Sequence, residues 1–140
     1  MATDKIKIKS RFLTDLDVRS ISDSTWELIS DLRYESKLFK GIVVVPSGFV
    51  TDFSSVPRLP FIYYVAGGVA NKPAVVHDFL YQKHFVGKMK ADRIFMEAMN
   101  QDKKIPVWKR WVMYSAVVAF GWAAYSNGVE RFQILNVNKT

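Results

Sequence analysis

KPAVVHDFLYQ, residues 72–82, is the stretch on which the reading of this chain turns, because it has the length and continuity of a helix and follows a half of different character. Pro73 suits a first helical turn, where its missing amide proton leaves no bond unmade. The segment therefore predicts a helix over about Lys72–Gln82. Ala74, Val75, Val76, Phe79 and Leu80 make it apolar, yet His77 and Asp78 stand at its centre. Tyr81 follows His77 by four residues and so shares its helix face.

Working outward towards the amino terminus, the signals are those of strands. Ile6, Ile8 and Phe12 lie among Lys5, Lys7, Lys9 and Arg11, as on a half-exposed edge strand. An extended segment is predicted over about Thr25–Tyr34, with Trp26, Leu28, Leu32 and Tyr34 on one face and Ser30 interrupting it. Gly41–Val45 is an apolar, β-branched run. Pro46, Ser47 and Gly48 then read as a turn, after which Phe49-Val50 resumes the sheet as a hairpin arm. TDFSSVPRLP, Thr51–Pro60, is rich in turn formers and reads as the hinge between halves.

Working outward in the other direction, Gly87 marks a loop, and a second helix is expected over Lys90–Gln101. A third is expected from Pro106 to about Ser126, with Asn127-Gly128 as its stop. Trp108, Trp111, Val112, Ala116, Ala119 and Ala123 recur at helical spacing and predict that this helix crosses the core. A last extended piece, about Val129–Val137, is expected to return to the sheet. The expected fold is α+β in a single domain, residues 1–140: amino-terminal antiparallel β-strands, a three-helix segment, and a returning carboxy-terminal strand.

The composition agrees with a packed core: 49% hydrophobic residues, 24% charged, with ten Phe, six Tyr and four Trp among 140 residues. Cysteine is absent, which excludes disulfides and thiolate metal sites. The opening MATDKIKIKSRF lacks the apolar core of a secretory signal, so synthesis in the cytoplasm is expected. WVMYSAVVAFGWAAY, residues 111–125, falls short of the roughly 20 apolar residues of a membrane span. It is read as a buried helix, with insertion at a membrane surface as the alternative.

A formal charge of +7 favours nucleic acid, anionic lipid or an acidic protein as partner without choosing among them. From Lys83 to Arg110 there are eight basic residues (Lys83, Lys88, Lys90, Arg93, Lys103, Lys104, Lys109, Arg110) against Asp92, Glu97 and Asp102. No base-stacking or helix-turn-helix pattern accompanies them. They read as a solvated helix-loop-helix face.

Chemistry concentrates around His77. Asp92 opens the second predicted helix after a short loop, so an antiparallel helix pair would return its carboxylate to the imidazole. A carboxylate on one ring nitrogen fixes the tautomer and leaves the other nitrogen to accept a proton from water, which would make His77 a general base. The same three groups, His77, Asp92 and Tyr81, would equally satisfy one another as buried polar residues. Asp52, Ser54 and Ser55 form a second polar cluster, read as a capped turn because no G-x-S-x-G elbow is present. Zinc hydrolysis and phosphohydrolysis by a helical His-Asp pair both require further histidines, and His84 is the only other one.

GFVTDFSSVPR at Gly48–Arg58, AVVHDFLY at Ala74–Tyr81, ADRIF at Ala91–Phe95 and AVVAFG at Ala116–Gly121 together resemble an uncharacterised bacteriophage and prophage family, domain-of-unknown-function family 1353. The resemblance implies a phage or prophage gene product and brings no established activity. AVVHDFLY followed by ADRIF also resembles the catalytic helices of phospholipase A2 enzymes of the parvoviral type. That resemblance implies that His77 activates water, Asp78 holds calcium, Asp92 orients His77, and Tyr81 hydrogen-bonds Asp92. Those enzymes carry a glycine-rich calcium loop upstream, where this chain has TDFSSVPRLP and no glycine until Gly67. Three functions are therefore expected as alternatives: a phage accessory protein with a phospholipase-like hydrolase site, a noncatalytic virion or tail component that assembles with other virion proteins, or a host-directed binder acting inside the cell.

Overall fold

Alternation between buried and exposed side chains organises the amino-terminal half in a computed structural model, which describes residues 7–23, 25–52 and 71–126. Strands β1 (Arg11–Phe12), β4 (Leu32–Ser36) and β5 (Gly41–Val45) form one antiparallel sheet in the order β1-β4-β5. Strands β2 (Val18–Ser22), β3 (Thr25–Leu28) and β6 (Val50–Thr51) form a second, in the order β2-β3-β6. In β4, Leu32, Tyr34 and Ser36 point inward while Arg33 is exposed; in β5, Val43 and Val45 are buried and Ile42 is exposed. That period of two gives one wet and one dry face. β1 lies at the sheet edge as expected, and its Arg11 pairs with Glu35 of β4.

Two expectations for the strands need correction. The segment Thr25–Tyr34 is two strands in different sheets, because the chain turns at Ile29–Asp31. Asp31 accepts the Ser47 amide at 2.8 Å, and the Ser47 hydroxyl donates to the Ile29 carbonyl at 2.8 Å, so this turn is tied to the Pro46–Gly48 turn. The residues after Gly48 also do not form a hairpin arm against β5. Gly48, at φ 88°, adopts a left-handed conformation and donates to Leu28 at 2.7 Å. The chain thereby changes sheets, and β6 pairs with β3 through Trp26–Thr51 and Glu27–Val50.

Four helices follow: α1 (Asn71–Lys83), α2 (Lys88–Asn100), α3 (Val107–Phe120) and α4 (Trp122–Ser126). α1 ends where His84 turns left-handed at φ 55° and donates its amide to Leu80. α2 begins two residues before Lys90, because Gly87 is its N-cap and its carbonyl accepts the Ala91 amide. The single helix expected to end near Ser126 is divided at Gly121 into α3 and α4. The hinge beyond Asp52, the stop at Asn127-Gly128 and the returning strand Val129–Val137 lie outside the described residues.

α1 occupies the middle of the structure, and every residue from Pro73 to Gln82 is buried. On one side Val75, Val76, Phe79 and Leu80 pack with Leu32, Val43 and Val45 from the sheet and Ile94 from α2. On the other, Ala74 joins Phe95 and Met99 of α2 with Met113 and Val117 of α3. The expectation that α3 crosses the core is thus overturned. Only Met113, Ala116 and Val117 of α3 are buried, while Trp108 and Trp111 are 56% and 58% exposed. The α1–α2 pair already fills the centre, so α3 packs on its outside.

Candidate active site

The four-residue turn between α1 and α2 returns the second helix along the first and brings Asp92 to His77. His77 Nε2 lies 2.8 Å from Asp92 Oδ1, and the Tyr81 hydroxyl donates to the same oxygen at 2.5 Å. The sequence-predicted trio is assembled. Phe95 and Tyr81 flank the imidazole, with ring centroids 4.7 and 4.0 Å away, and His77 itself is 0% exposed.

A fourth member escaped the sequence reading. Lys88, assigned there to a solvated basic face, is buried and donates its ammonium to Asp92 Oδ2 at 2.7 Å. It also donates to the carbonyls of Val117 and Val118, at 2.8 and 3.3 Å, near the end of α3. The missed signal was register: a helix beginning after Gly87 sets Lys88 and Asp92 four apart, on one face.

Electrostatics follow from this arrangement. Burial alone would raise the Asp92 carboxyl, but hydrogen bonds from His77, Lys88 and Tyr81 outweigh it and hold its pKa below the ordinary value. Burial lowers the His77 pKa more strongly than Asp92 raises it. Burial and the neighbouring carboxylate together raise the Tyr81 hydroxyl. These directions favour an ionised Asp92, a protonated Tyr81 phenol and a neutral His77 imidazole. With Asp92 ionised, Nε2–H is the donor to it, and the neutral ring carries its lone pair on Nδ1.

Asp78 points elsewhere. Its Oδ2 accepts from the Thr51 hydroxyl of β6 at 2.6 Å and from the Gln82 amide at 3.2 Å. Gln82 Oε1 is buried without a hydrogen-bond partner among the described residues. Among those residues no group of three or more His, Asp or Glu side chains converges as a metal site. Calcium takes about six to eight oxygen ligands, and the described donors around Asp78 do not supply such a shell. His84 is separate from the site: it stacks on Tyr125, centroids 3.9 Å apart, and donates to its carbonyl. A surface cleft of about 500 Å³ lies at the start of α1, lined by Arg11, Phe12, Lys72 and Lys104 among others, and includes none of the four network residues.

The fold and site define an α+β protein in which two antiparallel sheets cover a helical hairpin holding a buried His-Asp-Tyr-Lys network. The family described as protein of unknown function (DUF1353) matches residues 26–117, and the chain belongs to it. The match runs from β3 into α3 and so contains the whole network. No curated protein and no solved structure matches the chain. No described helix is long and apolar enough to cross a membrane.

Proposed function

We propose that the chain is a phage-encoded accessory protein whose His77–Asp92–Tyr81 arrangement is an ester-hydrolase site of the phospholipase A2 type. One observation carries the reading: a single Asp92 oxygen, on α2, receives both the His77 ring nitrogen and the Tyr81 hydroxyl from α1. Asp92 fixes the imidazole tautomer, and Tyr81 fixes Asp92. His77 Nδ1 then takes a proton from water as the water oxygen attacks an ester carbonyl, and returns it to the departing alkoxide. The described surroundings of Asp78 do not fit calcium, and no step above depends on a metal. The reading makes one demand, access, since water and substrate must reach a ring that is fully buried.

The test is release of fatty acid from mixed phospholipid micelles, with calcium and with a chelator. His77→Gln should lower turnover about 10²–10⁴-fold, the usual worth of a general base. Turnover equal to that of the unsubstituted protein, or none by the unsubstituted protein in either condition, overturns the reading.

Lys88 favours a second reading. Its ammonium joins Asp92 to the end of α3, so the network ties three helices together and serves as a structural staple. On this reading the protein is a noncatalytic virion or tail component, made in the host cytoplasm and assembled with other virion proteins. Stoichiometric recovery from purified particles by mass spectrometry supports it, and absence from them rejects it.

A further inference from the structure

On the outer side of α3, Trp108, Trp111 and Val118 are 44–58% exposed. At 100° per residue these positions fall on one side of the helix, opposite Met113, Ala116 and Val117, which pack inward. Ser115 is the one polar side chain between them. A soluble surface seldom leaves so continuous an apolar stripe without a use.

Along α3 and the residues leading into it from Lys103, the charge is of one sign. Residues 103–126 contain Lys103, Lys104, Lys109 and Arg110 and no Asp or Glu. Lys103 and Lys104 are exposed just before α3, and Lys109 Nζ stands 5.6 Å from the Trp108 ring centroid, so a cation sits at the rim beside an exposed indole. Indoles are the side chains best suited to a bilayer's interfacial zone, where an apolar ring and a polar N–H are both accommodated. With 14 residues, α3 is about 21 Å long, suited to lying along a surface and too short to cross one.

We propose that this face docks the protein onto an anionic lipid bilayer, with α3 parallel to the surface, the tryptophans in the headgroup–acyl boundary and Lys103, Lys104 and Lys109 against lipid phosphates. The charge pattern selects this occupant: Lys103, Lys104 and Lys109 complement a negative surface, whereas a second copy of the chain would set the same cations against one another; Arg110 is turned back onto the Ile105 and Asp102 carbonyls and takes no part. The proposal does not depend on hydrolysis at His77. Ether-linked lipids, which contain no hydrolysable ester, keep the two apart.

The experiment is sedimentation of the full chain with ether-linked phosphatidylcholine vesicles, with and without phosphatidylglycerol, read together with tryptophan fluorescence. The protein should pellet with the anionic vesicles, its emission should shift to the blue, and bromine-labelled acyl chains should quench it. The double variant Trp108→Ser, Trp111→Ser should bind about tenfold more weakly or worse, from the apolar area withheld from the lipid. Bromine quenching of the unsubstituted protein needs no variant and stands if the double variant misfolds. The proposal is overturned if the protein stays in the supernatant, if the double variant binds equally well, if the acyl bromines do not quench, or if the unsubstituted chain is a dimer that the double variant converts to monomer.

Discussion

α1 and α3 invert the usual relation between polarity and burial. α1 carries His77, Asp78 and Gln82 and hides all of them; α3 is the more apolar helix and leaves Trp108 and Trp111 in solvent. The difference lies in position and partners. α1 is covered by sheet on one side and helices on the other, so its polar groups are retained only because Asp92, Thr51 and their neighbours hydrogen-bond them. Among the described residues α3 packs on one side only, and its other side keeps Trp108 and Trp111 exposed. Mean hydropathy therefore ranks these helices in the wrong order for depth.

The strongest way to break the comparison is to remove the acceptor on which α1 depends. Asp92→Ala leaves the His77 Nε2–H, the Tyr81 hydroxyl and the Lys88 ammonium buried without it. The uncompensated charge alone costs about 3–5 kcal/mol, so urea unfolding should show a large loss or no folded state. A loss below about 1 kcal/mol, the scale of an ordinary hydrogen bond, would mean that the network does not hold α1 in place.

Gly121→Ala should have the next largest effect, because the break between α3 and α4 makes room for the network. A Cβ there would stand 2.6 Å from the Tyr81 hydroxyl and closer still to the Val117 carbonyl, with the Lys88 stem at 3.3 Å. Overpacking of this kind costs about 1–3 kcal/mol. The melting temperature should fall, and an unchanged value would show that the last turn of α3 shifts without disturbing Tyr81.

How much of this was legible in the sequence depended on whether the cause was local. The strand-then-helix order, the α1–α2 hairpin and the meeting of His77, Tyr81 and Asp92 follow from helical spacing and a short loop, and the structure has them. The splitting of Thr25–Tyr34 between two sheets was not legible, because it rests on Asp31 and Ser47 bonding across 16 residues. The outward placement of α3 was hidden for a related reason: its spacing showed an apolar face but not that α1 had already filled the centre. Lys88 was lost to a two-residue error in a helix start. Among charged residues at a helix boundary, one such slip exchanges a solvated side for a buried one.

A smaller effect is expected from pH. His77 has its pKa lowered in the folded state, so its neutral form is the one the fold accepts. Its contribution to stability is fully present above the ordinary histidine value of about 6.5 and declines as pH falls below that, until the folded value is reached. Each unit of separation is worth about 1.4 kcal/mol. Unfolding midpoints measured from neutral to mildly acidic pH should fall, and His77→Gln should flatten that slope. Asp92→Asn should lower the His77 value further in an NMR titration, because the carboxylate is what favours the imidazolium. An unchanged curve would uncouple the pair and remove the foundation of the hydrolase reading.

The smallest expected effect tests the other helix. Trp108 and Trp111 lie more than half in water, with Tyr114 6.0 Å from Trp111 between ring centroids and the Lys109 ammonium 5.6 Å from Trp108. Replacing both by serine withdraws little buried area, and exposed substitutions usually change stability by no more than about 0.5 kcal/mol. The urea midpoint of Trp108→Ser, Trp111→Ser should therefore match that of the unsubstituted chain, although two of its largest apolar side chains are gone. A loss of about 2 kcal/mol or more, the scale of a buried side chain, would place those indoles in the core after all and dissolve the contrast with α1. Equal midpoints would confine their role to whatever the stripe touches outside the molecule.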